Sequence, residues 1–314
     1  MPPIEIPALL PRAQALQLHP ENQALAKISD NLYVSLQRLL PTGAMARIVY
    51  KLARSRRIWL KNALIQGFVR LYGVDVEEAD APVPDGYSSF NSFFSRALKP
   101  GARPVDGDFD GICSPVDGTV QQLGSIHQGQ LLQAKRFTYS LNELLGQNTE
   151  FSARYENGSF LTVYLAPHNY HRVHSPIAGT VRKMVYIPGK RLAVNRTTAQ
   201  QVPGLFAGNL RLVLDCRGPW GPFAVVLVGA MNVSSISTAW AGEVLPPQPG
   251  IEHSWTYDRE TAVQLDKGDH LGHFNLGSTV IVIMPPDTVI WEPFVRPDVQ
   301  LTTGQRIGTL SRPA

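Results

Sequence analysis

Only two cysteines, Cys113 and Cys216, occur in the 314 residues. They make neither a disulfide framework nor a cysteine-rich metal site, so a reducing, cytoplasmic compartment is the default. No window approaches the roughly 18 consecutive apolar residues that a spanning helix needs, which excludes an integral helical membrane protein. The start, MPPIEIPALLPR, lacks a basic stretch followed by an apolar one and does not read as a secretion signal. One stretch is almost empty of acid. Between residues 23 and 72, Asp30 stands alone against Lys27, Arg38, Arg47, Lys51, Arg54, Arg56, Arg57, Lys61 and Arg70, a balance of +8. The whole chain carries +4, so the other 264 residues carry −4 and the basic character belongs to one segment. The remaining composition is ordinary: 44% hydrophobic and 17% charged residues exclude wholesale disorder. The 26 glycines and 25 prolines suit a turn-rich β protein better than a helical bundle.

The basic segment reads as amphipathic helices. Leu25, Ile28, Leu32, Leu36 and Leu39 recur every three or four residues until Pro41. A second pattern carries Met45, Ile48, Val49 and Leu52, and a third Leu60, Leu64, Ile65, Phe68 and Leu71, closed by Gly73 as a C-cap. Helices with this charge bias can lie on an anionic bilayer, each Lys or Arg near the surface contributing about 1 kcal/mol. An ordinary helical subdomain with a solvated basic face is the plainer reading. Nucleic acid is the weakest, because the rest of the chain is acidic and no recognition module is present. Residues 1–80 are therefore expected to form a basic membrane-docking region and residues 81–314 a β-rich domain, joined through DAPVPDGY (80–87). Ser88 or Ser89 then caps a short helix with Phe90, Phe93, Phe94 and Ala97 on one face.

From about residue 111 the period changes to two. FLTVYLAP (160–167), LRLVLDC (210–216), FAVVLVGA (223–230) and STVIVIMP (278–285) are strands between Gly/Pro turns. SPVDGTV (114–120) recurs as SPIAGTV (175–181), sixty-one residues later. In each, Ser-Pro enters a tight turn, the glycine tolerates a positive φ, and Thr-Val starts a strand. Two copies of a strand–turn–strand unit predict a mainly-β, duplicated sandwich or flattened barrel behind amino-terminal helices, α+β overall. GQRIGTL (304–310) reads as a hairpin tail of such a fold.

The densest titratable cluster is PHNYHRVHSP, with His168, His171 and His174 spaced by three. On a helix three imidazoles could hold a divalent transition metal; in extended chain they point to opposite faces. General acid–base work needs only one or two, and capping a loop needs none of their chemistry. Asp117 stands in the first repeat where the second has Ala178. It is either an Asx-type turn residue or a partner for a histidine, if the two turns face each other. Gly277 and Ser278 open an apolar strand, which alone is turn chemistry.

These segments form a recognisable set with FNSFFSR (90–96), LLQAKRFTYSLNELLG (131–146), VNRTTAQQVPGLFAGNLR (194–211), VGAMNVSSI (228–236) and KGDHLGHFNLGSTVIV (267–282). Over about residues 88–284 the chain resembles the phosphatidylserine decarboxylases, a self-cleaving, pyruvoyl-dependent family whose cleavage site is the LGST tetrapeptide. The resemblance implies a duplicated β sandwich and decarboxylation of phosphatidylserine to phosphatidylethanolamine. Losing carbon dioxide leaves two electrons on the α-carbon, and a ketone conjugated to an amide can accept them. No side chain supplies a ketone, so the protein makes one from its backbone.

By the same resemblance the chain is cut between Gly277 and Ser278 into pieces of 277 and 37 residues, and Ser278 becomes the covalent pyruvoyl cofactor. Ser278 attacks the preceding carbonyl, His174 is the base, and Asp117 orients and charges it. His171 serves decarboxylation, as proton donor to the α-carbon or orienter of the carboxylate, and His168 is left structural. No metal is assigned. The implied partners are phosphatidylserine in an anionic membrane surface and the two chains of one precursor, with a homodimer left open and no nucleic acid. The implied location is peripheral, on the cytoplasmic face of a bacterial cell membrane. A zinc hydrolase built on the three histidines, a non-catalytic binding barrel, and a pyruvoyl enzyme for a soluble amino acid are the alternatives.

Overall fold

The computed structural model describes residues 42–311, except 135–136, 231–234, 249, 259 and 276–277. The first amphipathic run, with Lys27, Asp30, Arg38, Leu36 and Leu39, lies outside the described residues, as does Gly277. The second and third patterns form helices α1 (Thr42–Ala53) and α2 (Ile58–Tyr72). α2 ends on Gly73 at φ 63°, whose N–H donates to the Val69 carbonyl at 2.9 Å, the expected left-handed cap. Ser89 starts α3 (Phe90–Phe94) with a capping box: its side chain accepts from the Ser92 N–H, and the Ser92 hydroxyl accepts from the Ser89 N–H.

Phe90, Phe93 and Phe94 bury against Ala53, Ile65, Val74 and Tyr87, so the basic helices share a core with the aromatic helix. Leu64 and Phe68 turn toward that cluster, the Phe68 ring lying 5.2 Å from Phe90 and 5.8 Å from Phe94. Two of the basic residues also turn inward. Lys61 is buried and donates to the Pro84 carbonyl at 3.1 Å, and Arg54 reaches Glu243 at 3.0 Å. Ile48, Leu52 and Leu71, which the periodicity places on the apolar faces, are instead exposed, as are Ile58, Trp59 and Tyr72, because the aromatic cluster of α3 covers only part of each helix.

Among the described residues every strand pair is antiparallel, and none of the sheets closes into a barrel. The largest runs β12 (His253–Thr256), β7 (Gly179–Ile187), β8 (Arg211–Gly218), β9 (Gly221–Gly229), β15 (Ser278–Met284), β5 (Ser159–Leu165), β2 (Gly118–Ser125) and β17 (Gln300–Leu301), with β13 (Val263–Leu265) also on β7. A second sheet runs β11 (Gly242–Glu243), β10 (Ile236–Thr238), β14 (His270–Phe274) and β6 (Arg172–His174). A third runs β1 (Gly111–Cys113), β18 (Arg306–Leu310) and β16 (Val289–Trp291), and β3 (Gln130–Ala134) pairs β4 (Phe137–Ser140). All seven residues of β15 are buried, which is why its run from Val280 to Met284 is continuously apolar rather than alternating.

The repeat is a structural duplication. The Cys113 N–H donates to the Pro176 carbonyl, and sixty-one residues on, the His174 N–H donates to the Pro115 carbonyl. The two turns thus exchange equivalent bonds. The Ser114 hydroxyl donates to the Val116 carbonyl and the Ser175 hydroxyl to the Ile177 carbonyl, both at 2.7 Å. The bulge between Val120 and Gln122 in β2 has its counterpart between Val181 and Lys183 in β7. The duplication extends to GQRIGTL, whose partner is GDHLGHF (268–274): β1 pairs β18 in the register that β6 uses on β14. The repeat glycines do not take a positive φ. They are required by close approach, since a Cβ on Gly118 would stand 2.4 Å from the Tyr164 carbonyl oxygen and one on Gly179 2.8 Å from that of Arg217.

Candidate active site

Ser278 is the first residue of β15, registered against Leu165 of β5 and Gly229 of β9. It is 1% exposed, and its Oγ is buried without a hydrogen-bond partner among the described residues. A hydroxyl in that position ordinarily finds an acceptor. Beyond Leu165 the chain turns, with the Ala166 N–H donating to Asn169 Oδ1 at 2.7 Å, and returns through the histidine cluster to β6. The turn that carries the imidazoles therefore begins beside Ser278.

The three spaced histidines have three different surroundings. His168 is exposed on the turn. His171 is fully buried, stacked on Phe94 with ring centroids 4.0 Å apart. Its Nε2 lies 3.3 Å from the Pro167 carbonyl, which can only accept, so Nε2 carries the proton and Nδ1 is bare. That Nδ1 is buried and unpartnered. Burial, helped by the nearby Arg96 charge, pushes the His171 pKa down to about 3, so the ring is neutral at pH 7.

His174 ends β6. By the same logic its Nδ1 donates to the Gly268 carbonyl at 2.7 Å, and its Nε2 accepts from the Tyr170 hydroxyl at 2.9 Å. Burial is the main influence lowering its pKa; the Gly268 bond and the charges of Asp117 and Asp269 act against it. Asp117 is buried and makes no Asx turn. Its carboxylate accepts from Arg103 Nε at 3.0 Å on both oxygens and from Nη2 at 2.7 Å, and from the N–H and hydroxyl of Thr303, each at 2.8 Å. Arg103 also holds Glu78 through two bonds of 2.8 and 2.7 Å. Among the described residues no hydrogen bond joins Asp117 to His174. The orienting bond expected from the carboxylate comes from the Gly268 carbonyl, and Asp117 acts on the imidazole through its charge.

Several residues of the site escape a reading by spacing. Tyr170 sits inside the histidine cluster, where only its chemistry as a hydroxyl donor marks it. His270 lies opposite His174 in the β6–β14 register, with ring centroids 5.8 Å apart, and stacks on His273 at 5.7 Å. Burial lowers their pKa values to about 3 and about 4. Asn275 donates to the hydroxyls of Ser235 and Ser237 at 2.9 and 3.0 Å, and Asn91 of α3 donates to its Oδ1 at 2.9 Å. This anchors the chain three residues before Ser278. The signal for His270 was the second tail copy, GDHLGHF.

Comparison with known proteins identifies the family. The phosphatidylserine decarboxylase family matches residues 90–309, and a domain described as PSD matches residues 32–73. The chain belongs to the phosphatidylserine decarboxylase family. A relative from Azotobacter vinelandii is 49% identical over 286 residues, covering 90% of this chain and 100% of its own. One from Nitrosococcus oceani is 42% identical and covers 92% and 94%, and one from Methylococcus capsulatus is 43% identical and covers 91% and 99%. All three are named phosphatidylserine decarboxylase proenzyme. Asp117, His171, His174 and Ser278 all fall inside the span matched by the phosphatidylserine decarboxylase family.

Proposed function

We propose that this chain is the precursor of a pyruvoyl enzyme that cuts itself before Ser278 and decarboxylates phosphatidylserine to phosphatidylethanolamine at a membrane surface. The observation that carries the reading is the bare, buried Ser278 Oγ at the first position of a central strand. A hydroxyl without a partner has no bond to give up before attacking. In the proposed maturation Oγ adds to the carbonyl of residue 277, and the peptide C–N bond breaks to give an ester. Loss of the Ser278 α-proton then expels the carboxylate of residue 277, and water replaces the nitrogen, which leaves as ammonia. His174 receives the Oγ proton on Nε2, with Tyr170 yielding that nitrogen. The resulting pyruvoyl group supplies the electron sink for decarboxylation. His171 then handles the proton at the substrate α-carbon or orients its carboxylate, from a fully buried position stacked on Phe94.

The substrate lies in a bilayer, and α1 and α2 carry what docking there requires. Ile58 and Trp59 are 71% and 68% exposed, and Leu71 is as exposed as Ile58. They stand beside exposed Lys51, Arg56, Arg57 and Arg70. No helix among the described residues is long and apolar enough to cross a membrane. The reading is peripheral attachment on the cytoplasmic face, where cations meet anionic lipid.

Intact mass decides the reading. Purified protein should consist of a 277-residue chain and a 37-residue chain blocked to amino-terminal sequencing and reactive toward hydroxylamine. Ser278→Ala should remain single and inactive. An active wild type that stays one chain overturns the reading.

A further inference from the structure

Among the described residues two arginines are fully buried, Arg211 and Arg96, and their surroundings differ. Arg211, 3% exposed, gives its guanidinium to the carbonyls of Leu144, Ala207, Asn209 and Glu143. Arg103 is clasped by two carboxylates. Arg96, 4% exposed, has Nε and Nη1 buried with no hydrogen-bond partner among the described residues. Its one side-chain contact of note is the Phe93 ring, 5.2 Å from Cζ. Its backbone is fixed by an N–H bond to the Phe93 carbonyl at 3.1 Å. Two buried guanidinium donors left open are costly for a fold to hold, and folds keep such groups where a ligand completes them.

The location says what the ligand is. Arg96 follows Phe94, which stacks on His171, and Ser95, whose carbonyl accepts from Arg172 Nε at 3.0 Å. Its charge acts directly on His171 and Tyr170. The open donors therefore lie beside the residues to which the decarboxylation is assigned. We propose that Arg96 binds an anionic oxygen group of the phospholipid headgroup, and that this group is the phosphodiester. The inference rests on the substrate reading given above. Two anions are available there, and the reaction distinguishes them. The carboxylate gives up its charge as carbon dioxide leaves, so a cation clasping it would stabilise the ground state and slow the step. The phosphodiester keeps its charge from substrate to product, and its fork of oxygens fits the planar donors of arginine.

The test uses the cleaved enzyme and short-chain, monomeric lipids, so that membrane docking plays no part. Arg96→Met and Arg96→Gln should raise KM for short-chain phosphatidylserine at least tenfold, and Arg96→Lys should raise it less. Calorimetric affinity for short-chain phosphatidylethanolamine, which has the phosphodiester and no carboxylate, should fall by a similar factor. Self-cleavage should proceed, and Arg96→Met should melt no lower than wild type, because removing an unpaired buried charge relieves the fold. Weakened substrate with unchanged product affinity would overturn the phosphodiester assignment and give the carboxylate to Arg96. Unchanged affinity for both, a lowered melting temperature, or a block in cleavage would overturn the binding role itself. The product-binding arm needs no turnover, so a wild type inactive on phosphatidylserine would refute the parent reading while affinity still judged Arg96.

Discussion

Replacing Asp117 by asparagine separates what the carboxylate holds from what its charge does. The amide keeps one oxygen for the two Thr303 donors, but it turns an N–H toward Arg103 Nη2, donor against donor. Arg103 retains Glu78 at 2.7 and 2.8 Å, so it is not left as a lone buried charge. The cost should therefore fall below the roughly 3–5 kcal/mol of an orphaned buried ion and near 2 kcal/mol, one charge-assisted hydrogen bond. Asp117→Ala also strands the Thr303 N–H and should cost about 4 kcal/mol. Both are read from urea unfolding in a Ser278→Ala background, which keeps the chain single. In otherwise wild-type protein, Asp117→Asn also removes one of the charges that raise the His174 pKa, and self-cleavage on gels should slow about 100-fold or more. Wild-type cleavage beside the 2 kcal/mol loss would make Asp117 a structural residue only. No loss of stability would refute the account of the Arg103 clasp.

Acid should destabilise the precursor through His171. Its folded pKa of about 3 lies below the ordinary 6.5, so below pH 6.5 the unfolded chain takes the proton first. Stability should fall by up to about 1.4 kcal/mol per pH unit from 6.5 toward 3, about 2 kcal/mol between pH 7 and 5. His171→Gln should remove that share, and an unchanged slope would show that another group carries it. Tyr170→Phe should cost about 1 kcal/mol and leave cleavage within about tenfold of wild type, because the Gly268 carbonyl still fixes the ring. A complete block would place Tyr170 on the proton path. On anionic vesicles, Arg56→Gln with Arg57→Gln should weaken binding at 0.1 M salt, where the Debye length is about 10 Å, and matter little at 1 M, where it is about 3 Å. Trp59→Ala should weaken binding at both, and equal salt sensitivity in the two variants would refute the division of labour. Point changes are the proper probe, since deleting α2 would uncover Phe90, Phe93 and Phe94.

Strands such as β5, β8, β9 and β15 are legible in the sequence because each is an apolar run bounded by Gly or Pro, and burial on both faces demands just that pattern. The duplication is legible through SPVDGTV and SPIAGTV, because the same backbone collision excludes a side chain at both glycines. Its second half is not: GDHLGHF and GQRIGTL share only glycines and an apolar position, and what unites them is hydrogen bonding to the two serine turns. In the site, the histidine and serine positions are legible as motif. The partner of His174 is not, since the bond comes from a backbone carbonyl, which every residue has. On the helices, periodicity alone cannot say whether Leu64 or Leu71 faces water. The answer depends on where the three phenylalanines of α3 arrive.

If the chain is cut before Ser278 as proposed, the place of β15 in the middle of the largest sheet has a consequence for how the protein lives afterwards. The 37-residue piece begins with a strand laced on both sides, to β9 and β5, and its tail adds β17 to β2 and β18 to β1. Scission at its head frees no element from these ladders. It changes the order of the folding reaction instead. The precursor folds as one molecule at any dilution, whereas the severed pair, once unfolded, can only find each other by collision, at a rate set by the square of concentration. A cut enzyme is thus reachable only through its uncut ancestor, and its persistence is governed by the barrier to unfolding rather than by an equilibrium it can revisit.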